Sequence, residues 1–161
     1  MQAVFAAAGF GPGTRVARLA ANQVEAWCAG MAALAALASG MVTTWLHPRG
    51  SQDDHLFQLR DFGAQLLVLD AAGFASHSAD LVARHQGLQK ACTLAPSDIG
   101  INLVAAADCI SHHRMRDLSG ADDLAVVHYA GGTTGRSKAV LRSQPGYAAM
   151  IASIVTDFEL P

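Results

Sequence analysis

Two hydrophobic periods alternate along the chain. Met1 to Phe10 reads as the end of a helix, and Gly11-Pro12-Gly13 follows as a turn. Arg15 to Ala20 alternates as a short strand. Asn22 is placed to cap a helix whose Val24, Trp27, Cys28, Met31 and Ala35 recur at helical spacing, closed by Gly40. Met41 to Trp45 is then a β-branched strand that ends at His47-Pro48-Arg49-Gly50. Ser51 and Asp54 have the spacing of a capping box, which starts a helix through Arg60. Leu66 to Leu69 is a continuous apolar run stopped by Asp70, the mark of a strand buried on both faces of a parallel sheet. A helix from about Ala75 to His85, a short strand at Ala91 to Leu94, a polar connector, a strong strand at Leu124 to Ala130 and another alternating segment at Ala139 to Arg142 complete the series. The alternation predicts an α/β fold, a layered sheet with flanking helices, over 1–161 as one unit without repeats or linkers. Ser111 to Asp123 is polar enough to be a surface loop.

One stretch complicates the picture. Ala26 to Leu46 runs without a charge and is long enough to cross a bilayer. Its apolar content is largely alanine, with few strongly lipid-favouring leucines, so its insertion energy is weak. An export signal would take Arg15 and Arg18 as its basic region and Ala36-Leu37-Ala38 as its cleavage site, but Glu25 abuts the apolar part and the leader would be unusually long. A helix followed by a buried strand accounts for the same residues.

Composition narrows the class. With 161 residues, a formal charge of −2, 52% hydrophobic and 15% charged residues, the chain is a folding globular unit and not a basic nucleic-acid binder. A chain of this size buries roughly 68–70% of its unfolded surface, enough for a core without disulfides. Cys28, Cys92 and Cys109 are odd in number, widely spaced and lack a Cys-x-x-Cys pair, which points to a reducing, cytoplasmic setting with the three thiols as small buried hydrophobes. Arginine outnumbers lysine nine to two and alanine makes up about a fifth of the chain, a skew that carries no functional signal.

Chemistry concentrates in one place. Gly131-Gly132-Thr133-Thr134-Gly135-Arg136-Ser137-Lys138 lies between two strands. Glycines let backbone N–H groups converge on one point, the threonines add hydroxyl donors, and Lys138 supplies a mobile positive charge, a set suited to a polyphosphate. It is not a Walker A loop, because Lys138 is followed by alanine and a strand instead of Ser or Thr and a helix. A plain glycine-rich hairpin remains open on this chemistry alone.

Val127 to Val140 resembles the phosphate-binding signature of the adenylate-forming superfamily, which includes acyl- and aryl-CoA ligases, adenylation domains and luciferases. Gly13 to Ala17, Asn22 with Glu25, Ala38 to Gly40, Leu46 to Pro48 and Gly63 to Asp70 are similar to the family's N-terminal blocks, in order and spacing, and among its members the acid–CoA ligases look closest. The resemblance implies part of a large N-terminal domain and a two-step reaction. A carboxylate attacks the α-phosphorus of ATP with Mg²⁺ assisting, pyrophosphate leaves, and the acyl-adenylate passes to a thiol, often coenzyme A. By position, Thr133, Thr134, Gly135 and Lys138 would contact the departing pyrophosphate, while Gly131 and Gly132 permit close backbone approach.

The chain departs from this pattern at four places. The family usually has Thr or Ser where Ala130 stands, Pro at Ser137, Gly at Ala139 and His at Gln144. Its Tyr-Gly-x-Thr-Glu adenine segment, ribose-binding aspartate and C-terminal lysine do not occur here, so the chain is expected to be a fragment clipped at both ends, holding no complete set of catalytic residues. Three or four charge-assisted hydrogen bonds at ~1.5–3 kcal/mol each barely match an association cost of ~4–15 kcal/mol, so millimolar ATP affinity is the most the fragment should reach. Such a fragment is also expected to self-associate through uncovered apolar surface. From a different class, a non-catalytic remnant or interaction module of the same fold would keep the shell while its loop binds nothing.

Other constellations carry less. Cys109 with His112 and His113 lacks a fourth zinc ligand at a recognised spacing. Asp53-Asp54 and Asp122-Asp123 are sequential pairs that suit helix starts and loop solvation. Ser51, Ser119 and Ser143 lack the context of a nucleophile elbow.

Overall fold

Alternation of strand and helix patterns resolves into a single sheet with helices on both faces. The computed structural model describes residues 1–21, 30, 32–33, 35–110, 114–131 and 135–158. The strands are β1 (Arg15–Leu19), β2 (Val42–Trp45), β3 (Leu66–Leu69), β4 (Lys90–Thr93), β5 (Ile101–Asn102), β6 (Leu124–Ala130) and β7 (Lys138–Ser143), in the spatial order β5-β4-β3-β1-β2-β6-β7. The neighbours pair in parallel up to β6, and β7 turns back antiparallel to it. The helices are α1 (Gln2–Ala7), α2 (Gln52–Phe62), α3 (Ala75–Arg84), α4 (Leu103–Asp108) and α5 (Gln144–Asp157); residues 35–38 are helical as well.

The period of two along each strand divides the core. Val16, Leu66, Val68 and Cys92 face one side, where Val4, Phe5, Ala35, Ala36 and Leu103 cover them. Ala17, Leu19, Leu67, Leu69 and Ala91 face the other, against Leu56, Leu59 and Phe62 of α2 and Leu81 of α3. Register makes this consistent, since Val16 stands beside both Thr43 and Leu66 and the next residue in each strand points the opposite way. All four residues of β3 are buried, as expected of a central parallel strand.

Local signals set the helix that matters most for the site. Ser51 Oγ accepts from the Asp54 amide at 3.1 Å and donates to its carboxylate at 2.7 Å, which closes the first turn of α2. Gly63 ends it in the left-handed conformation, φ 67°, which an L side chain adopts only with strain. Between these caps, Leu56, Leu59 and Phe62 recur at helical spacing and turn inward.

Four expectations need correction or completion. The polar connector after β4 contains β5 and α4, a two-residue strand and a six-residue helix capped by Asn102 Oδ1 on the Ala105 amide at 3.1 Å. Both are too short for a periodic pattern to register. β4 starts at Lys90, one residue ahead of the apolar run. Residues 144–157 form α5, beyond the last element the pattern predicts; Ser143 Oγ caps it on the Gly146 amide at 3.3 Å, and Pro145 fits because the first turn needs no N–H from it. Cys92 is buried but Cys109 is exposed, because α4 ends there and leaves it beyond the core. The Asn22 cap, Val24, Trp27, Cys28 and Met31 lie outside the described residues, as do His112 and His113. Among the described residues, no helix is long and apolar enough to cross a membrane.

Candidate functional site

β6 carries the glycine-rich loop to the carboxyl edge of the parallel strands, the edge at which open α/β sheets bind ligands. Its alternation sends Val127 toward the core under α2, with Tyr129 packed against that same core. His128 faces the opposite side, where its ring meets Trp45 edge-on at 5.0 Å and the Arg18 guanidinium stands 4.9 Å over the same indole. Ala130 pairs with Lys138, so β6 and β7 run antiparallel on either side of the glycine-rich segment. The expected strand, glycine loop, strand order is therefore what forms.

Of the residues singled out from the sequence, Gly131, Gly135 and Lys138 are described, whereas Gly132, Thr133 and Thr134 lie outside the described residues. Gly135 has φ 106°, a value that favours glycine. A Cβ on Gly131 would meet nothing within 4 Å, so the space over that end of the loop is open. Lys138 is exposed, and the ion pairs among the described residues belong to Arg84 alone, with Asp53 and Asp80. Lys138 thus keeps its charge available beside the loop.

α2 meets the loop from the other side. The Arg136 guanidinium sits 5.2 Å from the centroid of Phe57, and Gln58 Nε2 donates to Ser137 Oγ at 3.2 Å. Tyr129 donates its hydroxyl to Asp61 Oδ2 at 2.7 Å and reaches the Gln58 carbonyl at 3.3 Å. Burial, the hydrogen bond to Asp61 and the Asp61 charge all raise the Tyr129 hydroxyl above its ordinary pKa, so it remains a donor at neutral pH. Across the sheet His128 is lowered, first by burial and then by the Arg142 charge, and stays neutral. Its Nε2 and Arg142 Nε are sealed from solvent with no partner among the described residues.

Sequence reasoning did not reach Phe57, Gln58, Asp61 or Tyr129. The one local signal was Gln58, a polar residue beside Leu59 and one turn before Phe62 on a helix that buries both, and only the tertiary fold shows what it touches. Among the described residues, no three His, Cys, Asp or Glu side chains converge to hold an ion.

Comparison with known proteins fits this arrangement. The chain is 30% identical to the medium/long-chain-fatty-acid–CoA ligase FadD8 of Mycobacterium tuberculosis, over 98% of the chain and 28% of the ligase. Its fold matches the amide bond synthetase McbA of Marinactinospora thermotolerans with a TM-score of 0.82 and 27% identity, over 96% of the chain and 30% of that protein. ATP-bound MatB of Rhodopseudomonas palustris gives 0.70 and 27%, over 96% and 29%. The chain therefore spans less than a third of the length of these relatives. The family model for AMP-binding enzymes matches residues 2–160, and the chain belongs to that family.

Proposed function

We propose that residues 131–138 hold the β- and γ-phosphates of ATP as part of an ATP-dependent acid–CoA ligase, which adenylates a carboxylate and passes it to coenzyme A. The observation that carries this reading is the glycine-rich segment between β6 and β7 at the carboxyl edge of the sheet, with Lys138 at its exit in no ion pair among the described residues, in a chain of the AMP-binding family. In this reading Lys138 and the Thr133 and Thr134 hydroxyls stabilise charge on the leaving pyrophosphate, Gly135 supplies the turn, and Gly131 and Gly132 leave room for the phosphate chain. The open space over Gly131 and the uncommitted lysine fit an anion. Magnesium belongs to the reading as the ion that ATP brings on its own phosphates, because the described residues offer no acidic cluster to hold it. The free thiols of Cys92 and Cys109 agree with a cytoplasmic setting.

The alternative, a remnant whose loop binds nothing, parts from this reading in one experiment. With the chain in its complete reading frame, Lys138→Ala and Thr134→Val should each lower ATP–pyrophosphate exchange by about 10²–10³, the cost of one donor to a developing anion. A parent protein with no exchange at all would favour the remnant. The same reading expects the 161-residue chain to self-associate through β7 and α5, where Leu141 is 64% and Phe158 73% exposed. Sedimentation as a monodisperse monomer would count against it.

A further inference from the structure

We propose that the outer face of α2 is the seat of the glycine loop, with Phe57, Gln58 and Asp61 as positioning residues that clamp it at both ends. The inference rests on the phosphate-binding reading of the loop and deepens it. Phe57, Gln58 and Asp61 fall at helix positions i, i+1 and i+4 and so share one side of α2, while Leu56, Leu59 and Phe62 go to the core. Through them the helix holds Tyr129 on the strand that enters the loop and Arg136 and Ser137 on the arm that leaves it. Lys138 follows Ser137 directly, so the clamp sets where its charge stands.

Two features argue that this contact serves the loop more than the core. Gln58 is only 8% exposed, yet its Oε1 has no partner among the described residues. A buried acceptor left unpaired costs about 1–3 kcal/mol, and a leucine in its place would remove that cost, so stability alone does not call for an amide here. The second is Ser137. Where the resembling family has proline, whose ring fixes the backbone, this chain has a residue that restricts nothing by itself. The Gln58–Ser137 bond supplies from outside the restraint that proline would supply within the loop.

The test uses the 161-residue chain, with NMR backbone order parameters at Gly135 and Arg136 and titration by inorganic tripolyphosphate. Gln58→Leu should leave the urea midpoint unchanged or raised. Order parameters at the two positions should fall toward the flexible range, below about 0.6, with tripolyphosphate binding weakened several-fold. Adding Ser137→Pro to that variant should restore both, a rescue that a purely structural glutamine does not predict. Ser137→Ala removes the same bond from the loop side and carries the same expectation should Gln58→Leu fail to fold. Unchanged order parameters at the two positions, a fall shared equally across the sheet, or absence of rescue by proline would each overturn the proposal. A wild-type chain that ignores tripolyphosphate at 10 mM while its loop still loosens in Gln58→Leu would overturn the phosphate reading and leave the clamp standing.

Discussion

β3 and β7 belong to one sheet and are both built largely of aliphatic residues, yet they live in different environments. β3 lies at the centre, paired on both edges, with helices over both faces; Leu66, Leu67 and Leu69 are fully buried. β7 is the last strand, paired only with β6, and Val140 and Leu141 are 43% and 64% exposed. α5, which follows it, buries none of its residues, and Ile151, Ile154, Val155 and Phe158 recur at helical spacing on an exposed side. An apolar stripe of that kind normally marks the face of a helix that packs inward. The contrast teaches that a residue's hydrophobicity sets what it would gain from cover, and its neighbours decide whether it receives any.

The largest expected effect breaks the comparison open with one substitution made twice. Leu67→Ala removes a side chain from the closed core and should cost about 2–5 kcal/mol in urea unfolding, while Leu141→Ala should stay within about 0.5 kcal/mol. Equal costs would mean that β7 is covered in solution, and sedimentation on the same samples would show whether a second copy provides the cover.

A smaller effect separates the two ends of the loop. Gly135→Ala forces a Cβ onto a backbone at φ 106° and should cost about 1–2 kcal/mol. Gly131 has no positive φ and open space around it, so Gly131→Ala should leave stability within about 0.5 kcal/mol. If the loop takes phosphate, the ranking reverses in a tripolyphosphate titration relative to stability, since the methyl at Gly131 stands where the ligand would approach. Equal stability losses in the two variants would mean that the loop in solution does not keep this backbone.

Much of the closed half was legible from periodicity because each strand there has helices on both sides and its pattern reports them. Leu66 to Leu69 announces double burial, Ser51 and Asp54 announce the start of α2, and Gly40, at φ 69°, marks the left-handed turn that closes a helix. The open half was legible only in part. β6 and β7 alternate clearly, but α5 opens on Gln144-Pro145-Gly146, which imitates a turn, and its apolar stripe has no visible partner to give it meaning. The loop's composition pointed to phosphate, whereas its seat on α2 did not show. Phe57, Gln58 and Asp61 are 68 or more residues from the positions they hold, and no local period encodes a contact at that separation.

Two histidines carry the comparison to its smallest measurable effect. His55 lies in the closed half, 1% exposed, and its Nε2 must donate to the His47 carbonyl at 2.9 Å, since a carbonyl only accepts. Its Nδ1 therefore accepts from His77 Nε2 at 2.8 Å, which leaves no room for a second proton without rearranging the pair. Burial lowers His55 most, His77 lowers it further, and the bond to His47 and the Asp54 charge only partly oppose them. The unfolded chain, with an ordinary histidine pKa near 6.5, takes up that proton first, so stability should fall as the pH drops through this region. One proton supplies at most about 1.4 kcal/mol per pH unit, and half-titration between pH 7 and 6 makes the loss roughly 0.7 kcal/mol. Stability that rises on acidification would contradict the neutral pair. His128, at the open end, is also lowered first by burial, but part of its shift is the repulsion of Arg142, a half-buried residue whose charge 1 M salt screens in part. NMR titration at 0.1 M and 1 M salt should therefore move His128 toward its ordinary value while leaving His55 in place, because salt weakens a charge at an open edge and cannot hydrate a buried ring.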